Sequence, residues 1–291
     1  LSYDDLRRRG LPVAEHLALL LFAGAGLILW VAARNLVLLF LALELFSLSL
    51  YVLAGYARES APSREAALKY FLLGSFASAL FLLGIAFVYS AAGTLDLAGV
   101  QWWVQEHRTP PPVFLVGAAL LLAGLAFKVA AFPFHQWAPD VYQGAPTPVA
   151  AFLAAGSKAA GVVALVRIFV VAFGPAASAW RPLVAAMAAA TMVIGNLGAL
   201  AQGNLKRLLA YSSIAHAGYA LVGIAAGTAE GGAAAVFYLG AYGLMTVGAF
   251  ALLALVETGP EGPGLQDVAG LSATRPAASA ALAVCLVSLI G

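Results

Sequence analysis

The chain has 291 residues, of which 63% are hydrophobic and 10% charged, and its formal net charge is +2. Soluble domains are about one-quarter charged, so the composition excludes an ordinary soluble protein and indicates a membrane protein with several spans. The near-neutral charge gives no indication of a nucleic-acid partner. Because Cys285 is the single cysteine, an internal disulfide and a site built only from cysteines are excluded as well.

Apolar segments of roughly 20 residues, long enough to cross a bilayer core about 30 Å thick, follow one another along the chain. We predict eight complete spans and a ninth that begins near 276. The complete spans are expected near 13–33, 35–56, 66–91, 111–132, 147–173, 182–202, 208–227 and 232–256. Both termini interrupt recognisable segments, so we expect the sequence to be part of a longer chain.

The separators between the predicted spans indicate the orientation. Those on one side contain eight lysine and arginine residues, and those on the other contain three or four. Since cytoplasmic loops carry the excess of such residues, the sequence is expected to begin on the cytoplasmic side. The separator 93–110 is predicted to be a loop, with Trp102 and Trp103 as interface anchors. Spans one and six then start at opposite faces, which predicts two inverted five-helix repeats, residues 1–173 and 174–291.

Four of the ionisable residues inside predicted spans are candidate functional groups. Glu44, in "LVLLFLALELFSLSLYVL", lies about 14 Å deep, and Lys158, in "FLAAGSKAAGVVAL", about 16 Å deep. Lys128 is also well inside its span, whereas Lys69 lies only a few residues in. Each such charge costs roughly 2.5–3.5 kcal/mol to insert. A packing salt bridge is the alternative explanation, most of all for Lys69, but lysine can release its proton when it is desolvated, so we predict a functional set.

The segment "FKVAAFPFHQW" places Lys128 shortly before Pro133, which disfavours a continuous helix. An interrupted helix is tolerated in a membrane only beside water or protein, so the break is expected to admit water next to Lys128. His135 follows the break and is a candidate proton relay, as is, with less support, His216 in "YSSIAHAGY". For both histidines, a structural role is the alternative.

Two long motifs, "FKVAAFPFHQWAPDVYQGAPTPVAAFLAAGSKAAG" (127–161) and "NLKRLLAYSSIAHAGY" (204–219), resemble signatures of the antiporter-like membrane subunits of proton-pumping NADH:quinone oxidoreductase, respiratory complex I. The form of the first motif is most similar to the N subunits. Mrp-type cation/proton antiporter subunits share a weaker version. The resemblance extends through the whole sequence.

The resemblance implies an all-α polytopic fold of fourteen transmembrane helices with two inverted five-helix repeats, of which this chain supplies the fourth helix to the start of the twelfth. The family's functional residues match Glu44 on its fifth helix, Lys69 on its sixth, Lys128 on its broken seventh and Lys158 on its eighth. A further charged residue is expected just beyond Gly291. As a mechanism we expect Glu44 and Lys69 to form a charge pair, Lys128 to gain or lose a proton as that pair opens or closes, and Lys158 to pass the proton onward. The sequence leaves open whether Glu44 contacts Lys69 or Lys128.

The implied function is proton translocation in NADH:quinone oxidoreductase, driven by redox chemistry in other subunits. No cofactor or metal is expected in this chain, and flavin and iron–sulfur clusters are expected in partner subunits. The implied partners are other membrane subunits, including further antiporter-like ones, in a bacterial plasma membrane. The alternatives are an Mrp-type sodium/proton antiporter subunit, which Glu44 as the only central carboxylate makes less favoured, and a non-pumping structural membrane subunit.

Overall fold

The computed structural model describes residues 3, 6–7, 10–107, 109–257, 259 and 262–289. All the regular elements in this part of the chain are helical. The last two residues of the predicted second repeat, 290 and 291, lie outside the described residues.

Twelve helices are numbered in chain order among the described residues. They are α1 (Val13–Ala32), α2 (Leu36–Ala54), α3 (Ala61–Ala92), α4 (Leu97–Glu106), α5 (Pro112–Val129), α6 (Trp137–Gly144), α7 (Thr147–Ala172), α8 (Gly174–Leu200), α9 (Leu205–Ala225), α10 (Ala229–Val256), α11 (Leu271–Thr274) and α12 (Pro276–Ser288). A 3₁₀ turn, Leu265–Val268, precedes α11.

Eight of these helices, α1–α3, α5 and α7–α10, are long and apolar enough to cross a membrane. The predicted all-α polytopic fold with eight complete spans is confirmed. The ends differ by a few residues where polar caps extend a helix beyond its apolar part. Thus α3 begins at Ala61 because the Ser60 side chain accepts a hydrogen bond from the Ser63 amide. Pro182, which we took as the start of a span, lies inside α8.

The separator 93–110 is not only a loop, contrary to the prediction. The Asp96 side chain accepts hydrogen bonds from two backbone amides and starts α4. This helix buries Leu97, Val100 and Val104, which share one face because they are three and four positions apart. Trp102 points outward, whereas Trp103 packs against Phe114. The spacing of these three apolar residues is a sequence signal for a helix. The high polarity of the rest of the segment favoured a loop instead.

Two short backbone joints tie the starts of α2 and α9 to later segments. Asn35 forms an antiparallel bridge with Asp96, and Asn204 forms one with Gly264. In both joints the asparagine also caps its helix, accepting a hydrogen bond from the amide of Val37 or of Arg207.

Two glycines allow neighbouring helices to approach closely. A Cβ atom on Gly26 would lie 2.7 Å from the Phe46 amide nitrogen, and one on Gly195 would lie 2.5 Å from the Ala215 amide nitrogen. Small residues at such contacts are typical of membrane helix packing. The close contacts join α1 to α2 and α8 to α9. The most buried spans are α5, α7 and α9, and each of them contains one fully buried lysine.

Candidate functional site

Lys128 lies in the last turn of α5, immediately before the helix break. Its side chain is only 3% exposed. The ammonium nitrogen Nζ donates a hydrogen bond to Ser47 Oγ at 2.8 Å and lies 3.4 Å from Tyr70 Oη. It also sits 4.2 Å from the centre of the Phe46 ring, a cation–π contact. All of these direct partners are uncharged.

The predicted helix break at Pro133 is confirmed, since α5 ends at Val129 and α6 begins at Trp137. Ala130 adopts the left-handed conformation, with φ of 56°. Two hydrogen bonds replace part of the interrupted helical ladder. The Trp137 indole donates to the Phe127 carbonyl at 2.9 Å, and the Phe132 amide donates to Thr191 Oγ1 at 3.0 Å. The irregular backbone is therefore supported by neighbouring protein.

Lys158 lies on α7, directly after a π-helical turn, Leu153–Ser157. It is 1% exposed. Its Nζ donates hydrogen bonds to the backbone carbonyl and to the hydroxyl of Ser213 on α9. Turns with one extra residue are frequent at functional sites and turn the following side chains around the helix axis. Like Lys128, Lys158 is held by neutral oxygen atoms.

His216 lies one turn after Ser213 on α9 and is 4% exposed. Its Nδ1 is 2.5 Å from Tyr238 Oη, and its ring packs against Tyr242 at 4.6 Å between centroids. His216 is therefore placed near Lys158, beside α10. His135 is not placed next to either buried lysine. Its ring packs 5.7 Å from Phe132, and its Nδ1 atom is buried without a hydrogen-bond partner.

The expected pair between Glu44 and Lys69 is wrong for this structure. Lys69 Nζ lies 2.6 Å from a carboxylate oxygen of Glu65, one turn earlier on α3, and 2.6 Å from one of Asp140 on α6. These carboxylates are available at the half-exposed end of α3, where Lys69 is 42% exposed. Glu44 Oε1 is buried without a hydrogen-bond partner, and among the described residues Glu44 forms no direct ion pair.

Asp140 joins three helices, a role that the sequence reasoning missed. It binds Lys69 of α3 and, at 2.5 Å, Arg207 of α9. Burial raises the pKa of the Asp140 carboxyl, but the bonds from Lys69 and Arg207 outweigh it and hold the pKa below its usual value. A cavity of about 290 Å³ adjoins this cluster and is lined in part by Glu65, Gln143 and Arg207.

Lys206 lies at the second position of α9 and is 1% exposed. Its Nζ lies 3.4 Å from Glu257 Oε1 and donates to the Ala145 carbonyl at 2.7 Å. Thr147 donates to the other oxygen of the Glu257 carboxylate at 2.6 Å. This buried ion pair fixes the start of α7 against α9 and the end of α10. The sequence offers one signal for it: Lys206 lies two positions after the cap Asn204 and is buried with Leu205 at the start of α9.

In the part of the chain described here, no group of three or more histidine, cysteine or carboxylate side chains is placed to hold a metal ion. The arrangement is suited to different chemistry. Two buried amines are surrounded by hydroxyl and carbonyl oxygens, one at a helix break and one after a π turn. Such groups can accept and release protons where a fixed ion pair cannot.

The family model described as NADH:quinone oxidoreductase/Mrp antiporter, TM, matches residues 33–291. The chain belongs to this family. The resemblance drawn from the two motifs is thereby confirmed.

A relative from Solibacter usitatus, NADH-quinone oxidoreductase subunit N 1, is 49% identical over all of this chain and 60% of its own length. Among solved structures, a chain of respiratory complex I from Thermus thermophilus with bound aureothin is 42% identical. It has a TM-score of 0.82, over 95% of this chain and 59% of that one. A chain of the membrane-bound sulfane sulfur reductase, an archaeal respiratory complex, is 33% identical. Its TM-score is 0.85, over 92% of this chain and 54% of that one. The chain thus spans less than two-thirds of the length of these proteins.

Proposed function

We propose that this chain is part of a proton-translocating membrane subunit of NADH:quinone oxidoreductase. The observation that carries the proposal is the pair Lys128 and Lys158, each almost fully buried and each bound directly only by neutral groups. A permanent charge in that setting costs several kcal/mol without stabilising the fold. Proton transfer by an amine that alternates between protonated and neutral forms explains why lysines occupy these two buried positions. The subunit N relative and the complex I structure support the same assignment.

In the proposed mechanism Lys128 exchanges its proton beside the helix break, with the partly buried Glu44 as the acidic group that acts on it. The charge of Glu44 favours the protonated form of Lys128, so a change in the distance or protonation of Glu44 releases or recaptures that proton. Lys158 passes the proton onward, with His216 as a relay on its α10 side. Lys69, paired with Asp140, lies at the outer end of the proton path. His135 is a proton relay at the helix break.

The energy comes from redox reactions in partner subunits, which hold the flavin and iron–sulfur clusters. This chain contributes no cofactor. Its partners are the other membrane subunits of the complex, including further antiporter-like ones. We propose that it is an integral protein of a bacterial plasma membrane and that the sequence starts on the cytoplasmic side, which the excess of lysine and arginine on one side supports.

The chain is proposed to contain the inverted five-helix repeats 1–173 and 174–291. The spacing of matched features supports this division. Asn35 and Asn204 are 169 positions apart, and their bridge partners Asp96 and Gly264 are 168 apart. Gly26 and Gly195 are also 169 apart, as are the residues that each one contacts. Since five spans separate matched helices, the two repeats run in opposite directions.

The test is proton pumping by the assembled complex in proteoliposomes. Lys128→Ala is expected to abolish NADH-driven proton uptake while the complex remains assembled. Glu44→Gln should behave similarly and Glu44→Asp less severely. The exposed Glu15→Gln, in the first turn of α1, serves as a matched control for loss of a carboxylate. An assembled Lys128→Ala complex that pumps at the normal proton-to-electron ratio would remove Lys128 from the path.

An Mrp-type sodium/proton antiporter subunit is the alternative from the same family. Hard cations are bound by carboxylate, carbonyl and water oxygens, whereas the central groups here are two amines and one carboxylate. Sodium-dependent proton exchange by purified protein in vesicles would favour that alternative. A structural role predicts instead that the lysine variants fail to assemble.

A further inference from the structure

Between Lys128 and Lys158 lies a series of buried hydroxyl groups that the mechanism above does not use. Each of these side chains is at most 1% exposed. They are Tyr70 on α3, Tyr142 on α6, Ser157 on α7 and Ser213 on α9. Burying a hydroxyl is unfavourable unless it is hydrogen-bonded, and apolar residues of similar size would pack there at no such cost.

The two ends of the series contact the two lysines. Tyr70 Oη lies 3.4 Å from Lys128 Nζ. Ser213 Oγ accepts a hydrogen bond from Lys158 Nζ, and it lies 3.4 Å from Tyr142 Oη. Four different helices thus contribute hydroxyls to the region of the two amines.

The middle of the series is held together by aromatic packing and one orphaned hydroxyl. Trp137 stacks on Tyr70 at 4.6 Å and packs against Tyr142 at 6.2 Å, between ring centroids. Ser157 Oγ is buried beside the Tyr70 hydroxyl but has no hydrogen-bond partner. A buried hydroxyl generally has a hydrogen-bond partner, so Ser157 is the member of the series that is available to pass a proton on from Tyr70.

Ser213 is the point where the direction of these hydrogen bonds can reverse, because a hydroxyl is both a donor and an acceptor. When Lys158 is an ammonium it donates to Ser213, whose own proton then points to Tyr142. When Lys158 is a neutral amine, the Ser213 hydroxyl can donate to Nζ and accept from Tyr142. Either atom of the Tyr142–Ser213 contact can be the donor.

We propose that Tyr70, Ser157, Tyr142 and Ser213 form a hydroxyl relay that conducts a proton from Lys128 to Lys158, with Ser213 as its terminal member. This inference rests on the proposed function and identifies the groups that connect its two lysines. In one transfer, Lys128 gives a proton to the Tyr70 end of the relay, and Ser213 gives its hydroxyl proton to the neutral Lys158 amine. Each intervening oxygen accepts one proton and releases one. Lys128 ends neutral, Lys158 ends as an ammonium, and every hydroxyl ends with its single proton reoriented.

The corresponding position of the first proposed repeat supports a role in proton transfer. Ser213 lies 169 positions after Glu44, the same interval that separates the matched glycines. At this position the first repeat has the carboxyl of Glu44, near Lys128. The second repeat has the hydroxyl of Ser213, which is bound to Lys158. The hydroxyl conducts without carrying a charge, which the low-dielectric interior favours.

The experiment compares Ser213→Ala and Ser213→Thr in the full-length chain assembled in its complex. The readouts are the initial rate of proton uptake and the proton uptake per electron in proteoliposomes. Ser63→Ala is the matched control, since Ser63 is also fully buried in a helix and bonds a backbone carbonyl, but lies away from the relay. We expect Ser213→Ala to lower the pumping rate about tenfold or more. Ser213→Thr, which keeps the hydroxyl, should restore most of it. The solvent deuterium isotope effect on pumping should grow in the alanine variant alone.

Tyr142→Phe provides a second, independent reading if Ser213→Ala fails to assemble. Tyr56→Phe is its control, since Tyr56 is a buried tyrosine that donates to the Pro12 carbonyl away from both lysines. Normal pumping and an unchanged isotope effect in an assembled Ser213→Ala complex, or in Tyr142→Phe, would overturn the relay. Lys158→Ala distinguishes failure of the relay from failure of the proposed function. If it abolishes pumping while the hydroxyl variants pump normally, only the relay fails. If it too pumps normally, the proposed function fails with it.

Discussion

The four lysines form two pairs that differ in their partners. Lys128 and Lys158 are bound by hydroxyl and carbonyl oxygens, whereas Lys69 and Lys206 are bound by carboxylates. The carboxylate-bound lysines lie close to helix starts, Lys69 two turns into α3 and Lys206 at the start of α9. Depth alone does not separate the pairs, since Lys206 is as buried as Lys158.

The difference indicates which lysines can change charge. A carboxylate next to an ammonium group favours its protonated form and makes loss of the proton unfavourable, whereas a hydroxyl accommodates both forms of the amine. The neutral-bound pair is therefore suited to taking up and releasing protons. The carboxylate-bound pair is suited to keeping its charge and holding helices together, with Lys69 doing so at the outer end of the proposed path. Four substitutions test this division.

The largest effect is expected for Lys128→Arg. Arginine keeps the positive charge and hydrogen-bond donors but cannot release its proton in a protein. We expect pumping to fall about 100-fold or more in the assembled complex, the scale on which proton transfer by a side chain contributes. Proteoliposome assays of NADH-driven acidification measure it. Retention of pumping with arginine would show that a fixed charge suffices and would remove the distinction between the pairs.

A large effect on stability is expected for Lys206→Met. Breaking a buried ion pair by removing one partner costs about 3–5 kcal/mol, because Glu257 would remain as a buried charge. Thermal unfolding in detergent should show the loss. Adding Glu257→Gln should recover part of it, since the remaining charge is removed. A single variant as stable as the parent, with lost pumping, would place Lys206 among the proton-transfer groups.

A smaller, pH-dependent effect is expected for Asp140→Asn. The pKa of Asp140 is lower in the folded chain than in the unfolded one, so its ion pairs stabilise the fold fully at pH above the unfolded value, about 4. That stabilisation is lost as pH falls through the folded value. The difference in unfolding temperature between parent and variant should therefore be clear at pH 7 and shrink below about pH 4. A difference that does not depend on pH would show that the carboxylate charge contributes nothing.

The smallest effect on stability is expected for Lys69→Met, about 0–1 kcal/mol, because this ion pair is 42% exposed on the lysine side. Pumping should fall several-fold without being abolished, since the group lies at the outer end of the path. The same two assays measure both quantities. Complete loss of pumping would place Lys69 with Lys128 and Lys158.

The sequence was sufficient to predict the spans and the break at Pro133, because length, hydropathy and proline act locally. It also identified Lys128 and Lys158, because charge is rare inside apolar runs. It did not identify the partners. The expected Glu44–Lys69 pair is wrong, because α6 brings Asp140 to Lys69 from 71 positions away. The ion pair of Lys206 was missed, because no local pattern shows that Glu257, 51 positions later, folds back over it.

The helix α4 and the π turn Leu153–Ser157 were not predicted from the sequence, for two different reasons. The apolar residues of α4 have helical spacing, but they lie within a polar separator that was read as a loop. A π turn has no composition of its own, so Leu153–Ser157 looks like any apolar stretch of α-helix. Its existence depends on how α7 packs against α9 and α10, which is information that a single sequence does not contain.

That π turn has a consequence for how Lys158 is aimed. One surplus residue in a helical turn rotates everything that follows by about 100° around the axis. The direction of the Lys158 side chain therefore depends on the extra residue in the π-helical turn that precedes it. Removing a single residue from 153–156 would leave the charge of α7 and the side chains of Ser157, Lys158 and Ser213 unchanged, and we expect it to turn the lysine away from α9.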